Sequence, residues 1–220
     1  MTSRQTTLTK LLDAAEDLFF TQGIAATPID AVLVRAGVSS ATLYRAYPSK
    51  EVLVAAVLDR RHAAWLAEWD AALAAATTPA QALMSVFDAN DAFRSGPRGA
   101  RWCAFLNTAA EFADPPPQIA EVLARETATY RERLTRLARE AGAADPGALA
   151  DQLLLVVSGD LAMHLRRDAE APASTARTVA AAVVAAALPC DGGALFPPPD
   201  GAGRPTSAPP AARRASAPRP

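Results

Sequence analysis

The chain has 220 residues, 50% of them apolar and 20% charged, with a formal net charge of −1. This near-neutral balance argues against a protein that coats nucleic acid non-specifically, and the length suffices for one or two domains with a hydrophobic core. The most apolar run, residues 179–188, is too short to cross a bilayer, and no signal-peptide pattern is present. We therefore expect a cytoplasmic protein without a membrane partner.

The N-terminal region predicts one amphipathic helix. Residues 1–7 read as a short polar arm, expected to be frayed and solvated. Apolar residues then recur at helical spacing, and Gly23 ends the pattern. These residues are Leu8, Leu11, Leu12, Ala15, Leu18 and Phe19. We expect this helix to pack across the two helices that follow and to hold them rigid.

The next helix is predicted from its end signals. Thr27 is expected to cap it, with Pro28 at the first helical position and the Asp30 carboxylate reaching back to the cap. One apolar face follows, formed by Ile29, Val32, Leu33 and Ala36. Gly37 is expected to end the helix in the left-handed conformation that glycine adopts most easily.

A second short helix is predicted directly after this glycine turn. Ser39 is its expected N-cap, and the helix covers Ser40–Ala46 before Pro48. Residues 28–47 thus have the pattern of a helix-turn-helix, whose second helix lies in the major groove of DNA. Spacing alone leaves open an ordinary corner of a helical bundle, because short helix pairs are common in all-α proteins.

The predicted DNA contacts fall into two groups. Residues at the leading end of the second helix would meet base edges, and hydroxyl or cationic side chains behind it would reach phosphates. The first group is Ser39, Ser40 and Ala41, and the second is Thr42, Tyr44, Arg45 and Lys50. Ser40 and Ala41 are poor readers of bases, so selectivity is expected to depend on few contacts or on DNA shape.

The rest of the chain predicts further helices and no alternating strand pattern. A long helix capped by Ser49 is expected to run to about Ala76, and a capping box at Thr78–Gln81 starts the next, which Gly96 breaks. Later helices are predicted around 102–112, 119–142, 149–168 and 174–188. The fold class is therefore all-α with about nine helices. Residues 189–220, rich in Pro, Ala and Arg, are expected to be a disordered tail.

No catalytic or metal-binding motif is recognisable. Cys103 and Cys190 have neither metal nor redox spacing, so reduced thiols are expected. There is no glycine-rich phosphate loop, nucleophile elbow, HExxH pattern or His/Cys cluster in the sequence. We predict no metal, no cofactor and no enzymatic activity.

Residues 19–53 closely resemble the TetR family of bacterial transcriptional regulators. The shared pattern is Leu18-Phe19, Gly23, Thr27, Ile29-Asp30, Ala36-Gly37-Val38-Ser39, Thr42-Leu43-Tyr44, Tyr47 and Ser49-Lys50-Glu51. By resemblance, Thr27, Thr42, Tyr44 and Lys50 would contact the DNA backbone. Two positions depart from the family pattern: Ala46 stands where a histidine is common, and Pro28 replaces a small polar residue.

The resemblance implies a three-helix DNA-binding domain at 4–65 and a helical domain at 66–188 that binds an effector and forms a homodimer through its last two helices. The implied function is a sequence-specific regulator on a double-stranded operator, more consistent with a repressor released by a small apolar or aromatic molecule. The alternative is a helical-bundle binding protein or enzyme that has lost DNA recognition.

For the effector cavity, five aromatic residues, one methionine and one histidine are candidates. They are Trp65, Phe87, Trp102, Phe105, Tyr130, Met163 and His164. For any one of them, a place in the ordinary core is the competing interpretation.

Overall fold

The computed structural model describes residues 3–99, 102–164, 166 and 174–189, and all regular structure within these ranges is α-helical. The predicted all-α class is therefore confirmed. The described ranges contain nine helices: α1 (Ser3–Gln22), α2 (Ile29–Ala36), α3 (Ser40–Ala46), α4 (Lys50–Ala75), α5 (Pro79–Ser95), α6 (Ala104–Glu111), α7 (Pro117–Glu140), α8 (Pro146–Met163) and α9 (Ser174–Ala187). In the same ranges no helix combines the length and apolar character that a bilayer crossing requires.

The structure differs from the sequence prediction at the start of α1 and at the end of α8. The prediction that residues 1–7 form a polar arm is wrong from Ser3 onward, because α1 already begins there. No glycine or proline separates Ser3 from Leu8, so nothing stops the helix from extending backward. At the other end α8 stops at Met163, before the predicted end at Asp168. The predicted tail lies outside the described residues, apart from Pro189.

The start of α2 also corrects the sequence prediction. Pro28 occupies the N-cap position, and no side chain caps the helix. The Thr27 hydroxyl instead donates to the Gly23 carbonyl at 2.7 Å, so it stabilises the turn before the helix. The end of α2 is as predicted: Gly37 has φ +66°, and its N–H bonds the Leu33 and Val34 carbonyls.

The other predicted caps are confirmed. Ser39, Ser49 and Thr78 each accept a hydrogen bond from the backbone N–H three residues ahead, at the starts of α3, α4 and α5. Each bond satisfies one of the N–H groups that a helix start leaves without an intrahelical partner. Gln81 differs in one detail, since its side chain accepts from the Thr77 N–H rather than from the cap residue.

The buried apolar residues form two clusters that share α4. The N-terminal cluster contains the buried faces of α1–α3 together with Leu53, Val57 and Leu58 of α4. The C-terminal cluster begins further along the same helix with Trp65 and Trp69, and continues through α5, α7, α8 and α9. All described helices belong to one compact unit, residues 1–190. A single 26-residue helix therefore joins the N-terminal cluster to the C-terminal cluster.

Helices α6 and α7 reach back to the N-terminal cluster. Ala104 of α6 and Ile119 of α7 are buried in it. The Glu111 carboxylate at the end of α6 accepts the backbone N–H of Ile24 at 3.1 Å and that of Ala25 at 2.8 Å. The turn between α1 and α2 is thus held by a residue from the second half of the chain.

Candidate nucleic-acid interface and ligand cavity

Helix α3 is anchored by one side chain and exposes most of the others. Leu43 has no exposed surface and belongs to the N-terminal cluster. The Ser39 hydroxyl accepts the Thr42 N–H at 3.3 Å and lies 3.0 Å from the Thr42 hydroxyl. Ser39, Ser40 and Ala41, which were predicted to face bases, are exposed. They lie at the solvent-exposed N-terminal end of α3.

Two side chains on α3 are exposed and unengaged. Tyr44 is 47% exposed, and Arg45 is also exposed. Within the described part of the chain, neither side chain has a hydrogen bond or an ion pair, whereas Arg35 on α2 is paired with Asp17. A hydroxyl and a cation are therefore available on the face of α3 that is open to solvent.

The polar side-chain groups of Lys50 and Thr27 form hydrogen bonds within the protein. The Lys50 ammonium donates to the Ile24 carbonyl at 2.6 Å and to the Thr27 carbonyl at 2.7 Å, and burial lowers its pKa. One of its three N–H donors remains. The Thr27 side chain has no exposed surface, so its hydroxyl does not reach a phosphate in this conformation. Both residues fix the α1–α2 turn against the start of α4.

Two adjoining cavities lie against α6, α7 and α8, and the smaller one also reaches α4. One has a volume of about 70 Å³ and also touches α5, and the other has about 150 Å³. They share five lining residues, which are Cys103, Phe105, Glu126, Tyr130 and Leu161. Among the described residues, no group of His, Cys, Asp and Glu is arranged to hold a metal ion.

Five of the seven predicted ligand residues line the smaller cavity: Trp65, Trp102, Phe105, Tyr130 and His164. The other two lie elsewhere. Phe87 is buried in the C-terminal cluster, with the Arg177 guanidinium 5.9 Å from its ring centre, and Met163 is 42% exposed at the end of α8. Helical spacing places Phe87 on a buried face but does not say which neighbour that face meets, and Met163 is left partly exposed because α8 ends there.

An aromatic stack forms one wall of the smaller cavity. The Trp65 and Tyr130 rings are 4.2 Å apart at an angle of 17°, and His62 stacks on Trp65 at 6.4 Å. Asn90 holds the pair, because its Oδ1 accepts the Trp65 indole N–H at 2.9 Å. Burial strongly raises the pKa of the Tyr130 hydroxyl, which therefore stays protonated. The aromatic side chains of this stack carry no charge.

Several polar groups in the cavity wall lack partners. The His62 Nε2 and Trp102 Nε1 atoms are buried without a hydrogen bond in the described structure. Burial lowers the pKa of His62 and raises that of the Cys103 thiol, so both are neutral near neutral pH. Burial also raises the pKa of Glu126 to about 7. Unpaired buried polar groups are costly in a packed core and are common where a ligand binds.

The sequence contained a signal for Glu126 that the prediction did not use. Glu126 follows Ile119, Val122 and Leu123 at helical spacing and precedes Tyr130 on the same face of α7. A carboxyl group at an apolar position of a helix is unusual unless it has a role. Asn90 had no comparable signal, because one amide on a mixed helix is ordinary.

A three-helix unit whose third helix, α3, is capped and exposed is joined by the continuous α4 to a bundle with a cavity. This is the architecture of a DNA-binding regulator of the helix-turn-helix class. Residues 11–57 match the family model described as bacterial regulatory proteins, tetR family. No curated protein sequence matches the chain.

Solved structures agree with this class. SCO4454, a TetR-family transcriptional regulator from Streptomyces coelicolor, is 27% identical, with a TM-score of 0.76 over 83% of this chain and 96% of that one. The putative TetR transcriptional regulator sav143 from Streptomyces avermitilis is 26% identical, with a TM-score of 0.68 over 85% and 98%. Reduced NemR from E. coli, at 19% identity and a TM-score of 0.69 over 83% and 97%, supports the fold alone. Residues 11–57 therefore form the DNA-binding domain of the tetR family, and the chain has the fold of a TetR-family transcriptional regulator.

Proposed function

We propose that this protein is a dimeric, sequence-specific repressor that leaves its operator when a small molecule binds between α4, α6, α7 and α8. The observation that carries the proposal is the exposed α3, with Tyr44 and Arg45 unengaged, in a chain that also holds a cavity against α4 and α6. The expected operator is duplex DNA with two half-sites about 34–36 Å apart.

In the proposed complex, α3 lies in the major groove. Ser39, Ser40 and Ala41 approach base edges, and Thr42, Tyr44 and Arg45 contact phosphates. Lys50 contributes its remaining N–H donor and its charge at the start of α4. Ser40 and Ala41 can form few hydrogen bonds with base edges, so we assign much of the affinity for DNA to phosphate contacts. Binding is therefore expected to depend strongly on salt concentration.

A gel-shift titration with DNA upstream of the protein's own gene tests this docking. Arg45→Ala is expected to weaken binding to all sequences alike and to reduce the slope of log affinity against log salt by about 1. Arg139→Ala is the matched control, because Arg139 is an exposed cation at the far end of α7. Tyr44→Ala should weaken binding without loss of helicity. No salt-sensitive shift by the wild-type protein would rule out the regulator.

The proposed dimer uses the exposed apolar side of α8 and α9. Leu155 is 75% exposed and Val179 is 45% exposed, although both are apolar. A Cβ atom added at Gly159, one turn beyond Leu155, would meet nothing within 4 Å, so a partner helix has room to approach there. A two-fold pair of subunits also doubles the number of half-site contacts.

Leu155→Glu tests the interface. A carboxylate on this surface is expected to convert the dimer to a monomer in size-exclusion chromatography with light scattering, and to weaken operator binding with it. Ala74→Glu, on the exposed side of α4, is the control and should leave the mass unchanged. A wild-type protein that remains monomeric at every concentration would contradict this part of the proposal.

In the proposed release mechanism, α6 transmits the effect of ligand binding from the cavity to the DNA-binding helices. Its first turn touches the cavity through Ala104 and Phe105, and its last residue, Glu111, holds the α1–α2 turn. That turn supplies the carbonyls that bind Lys50. A ligand that favours a shifted α6 would thus favour a different position of α3, which is a population shift between two conformers.

The alternative function, a ligand-binding bundle without DNA recognition, is favoured by the net charge of −1 and by the chemically plain Ser40-Ala41 tip. The same gel shift separates the two, because only the regulator retards its upstream DNA at low salt.

A further inference from the structure

We propose that the cavity selects a small cationic aromatic compound, an arylalkyl ammonium, with the Glu126 carboxylate as its counter-charge. This inference rests on the proposed effector role of the cavity and names the chemical class that the cavity would accept. It is carried by the position of Glu126, the pairing of the nearby cations and the shape of the cavities.

Glu126 lines both cavities and therefore lies at their junction. Its only hydrogen-bond partner in the described structure is the hydroxyl of the adjacent Thr127, at 3.4 Å. No Lys, Arg or His side chain of the described ranges forms an ion pair with it. A carboxyl group so placed is available to a ligand in either cavity.

The two arginines that line the smaller cavity, Arg61 and Arg94, are each paired with a carboxylate. The Arg61 guanidinium bonds Glu16 at 3.0 Å and lies 4.9 Å from the centre of the Phe93 ring. Arg94 is paired with Asp91. Glu126 is therefore the unbalanced charge of the cavity wall, and a bound anion would find no cation without a partner among these residues.

The surroundings of Glu126 favour a cation over a neutral ligand. An unpaired carboxylate in an apolar site carries a desolvation cost, which is reflected in its pKa of about 7. A cationic ligand removes that cost and interacts strongly because the local dielectric is low. The walls add to this preference, since aromatic ring faces attract cations. Trp65 is stacked against His62 and Tyr130, whereas Phe105 meets His62 only edge to face at 5.9 Å, so Phe105 and Trp102 are assigned to the ligand.

The volumes set the size of the ligand. The cavity of about 150 Å³ is comparable to one that accommodates a benzene ring. The cavity of about 70 Å³ admits only a compact group such as an ammonium. Because Glu126 lies between them, a ring in the larger cavity places a benzylic substituent next to the carboxylate.

Three probes of similar size test the inference on the full-length protein by isothermal titration calorimetry at about pH 8, where Glu126 is largely ionised. Benzylammonium is the cation, ethylbenzene is its neutral counterpart, and benzoate is the anion. Benzylammonium is expected to bind at least about tenfold more tightly than ethylbenzene, and benzoate to bind most weakly.

Glu126→Gln should lower the affinity for benzylammonium by about tenfold or more and change that for ethylbenzene by less than about twofold. Glu121→Gln, an exposed carboxyl on the same helix, is the matched control and should change neither. The inference is overturned if ethylbenzene or benzoate binds as well as benzylammonium, if no probe binds, or if Glu126→Gln has no effect on the cation. The wild-type probe ranking decides the matter even without the variant. An intact operator shift with a failed ranking would refute this inference and leave the regulator standing.

Discussion

Replacing Glu126 by Gln is expected to stabilise the protein, and more so at high pH. Folding raises the pKa of this carboxyl from 4.5 to about 7, so between these values the folded state binds a proton that the unfolded state has lost. Stability therefore falls as pH rises through this window. At 1.36 kcal/mol per pKa unit, the penalty is about 3 kcal/mol at pH 8 and less than about 1 kcal/mol at pH 5. Gln removes the charge and keeps the shape.

Urea unfolding followed by circular dichroism at about pH 5 and 8 measures this difference. The stability gap between Glu126→Gln and wild type should grow by about 2 kcal/mol from the lower to the higher pH. Glu121→Gln, on the exposed side of α7, should show no such growth, and comparing variants at each pH cancels the titration of all other groups. An equal gap at both pH values would show that burial does not hold the Glu126 proton, and the reasoning would fail.

Three further variants test the supports of the DNA-binding unit by the same urea unfolding. Gly37→Ala should cost about 1–2 kcal/mol through its φ of +66° alone, because the added Cβ meets nothing within 4 Å. Ser49→Ala should cost about 1 kcal/mol through the lost bond to Val52, and Ser49→Asp should restore it. Glu111→Gln should cost about 1–3 kcal/mol, because an amide offers fewer acceptors to the α1–α2 turn; no loss would mean that this contact is dispensable.

Most helix ends could be predicted from short sequence patterns. Caps at Ser39, Ser49 and Thr78 and the left-handed Gly37 were visible in the sequence, because each depends on neighbours within a few residues. Thr27 shows where such rules stop. Its pattern fits a cap, but the folded chain brings the Gly23 carbonyl within 2.7 Å, and this contact takes the hydroxyl.

The site was predictable only in part, for a related reason. Aromatic residues at helical spacing marked buried faces, and Trp65, Trp102, Phe105 and Tyr130 do reach the cavity. Which buried face meets empty space depends on how five helices pack, so Phe87 could not be told apart from them. The bond between Glu111 and the turn at Ile24 joins residues 87 positions apart, and no local pattern encodes that distance.

In the proposed release mechanism, the unbroken α4 would convert a small tilt near the cavity into a larger displacement at its N-terminal end. Trp65 lines the cavity, and Lys50 donates a hydrogen bond to the turn before α2. The two residues are 15 positions apart on α4, which is about 22 Å at 1.5 Å per residue. A tilt of about 6° near Trp65 would therefore carry the Lys50 end sideways by about 2 Å. Residues 50–65 contain no proline or glycine at which α4 would bend and absorb this displacement.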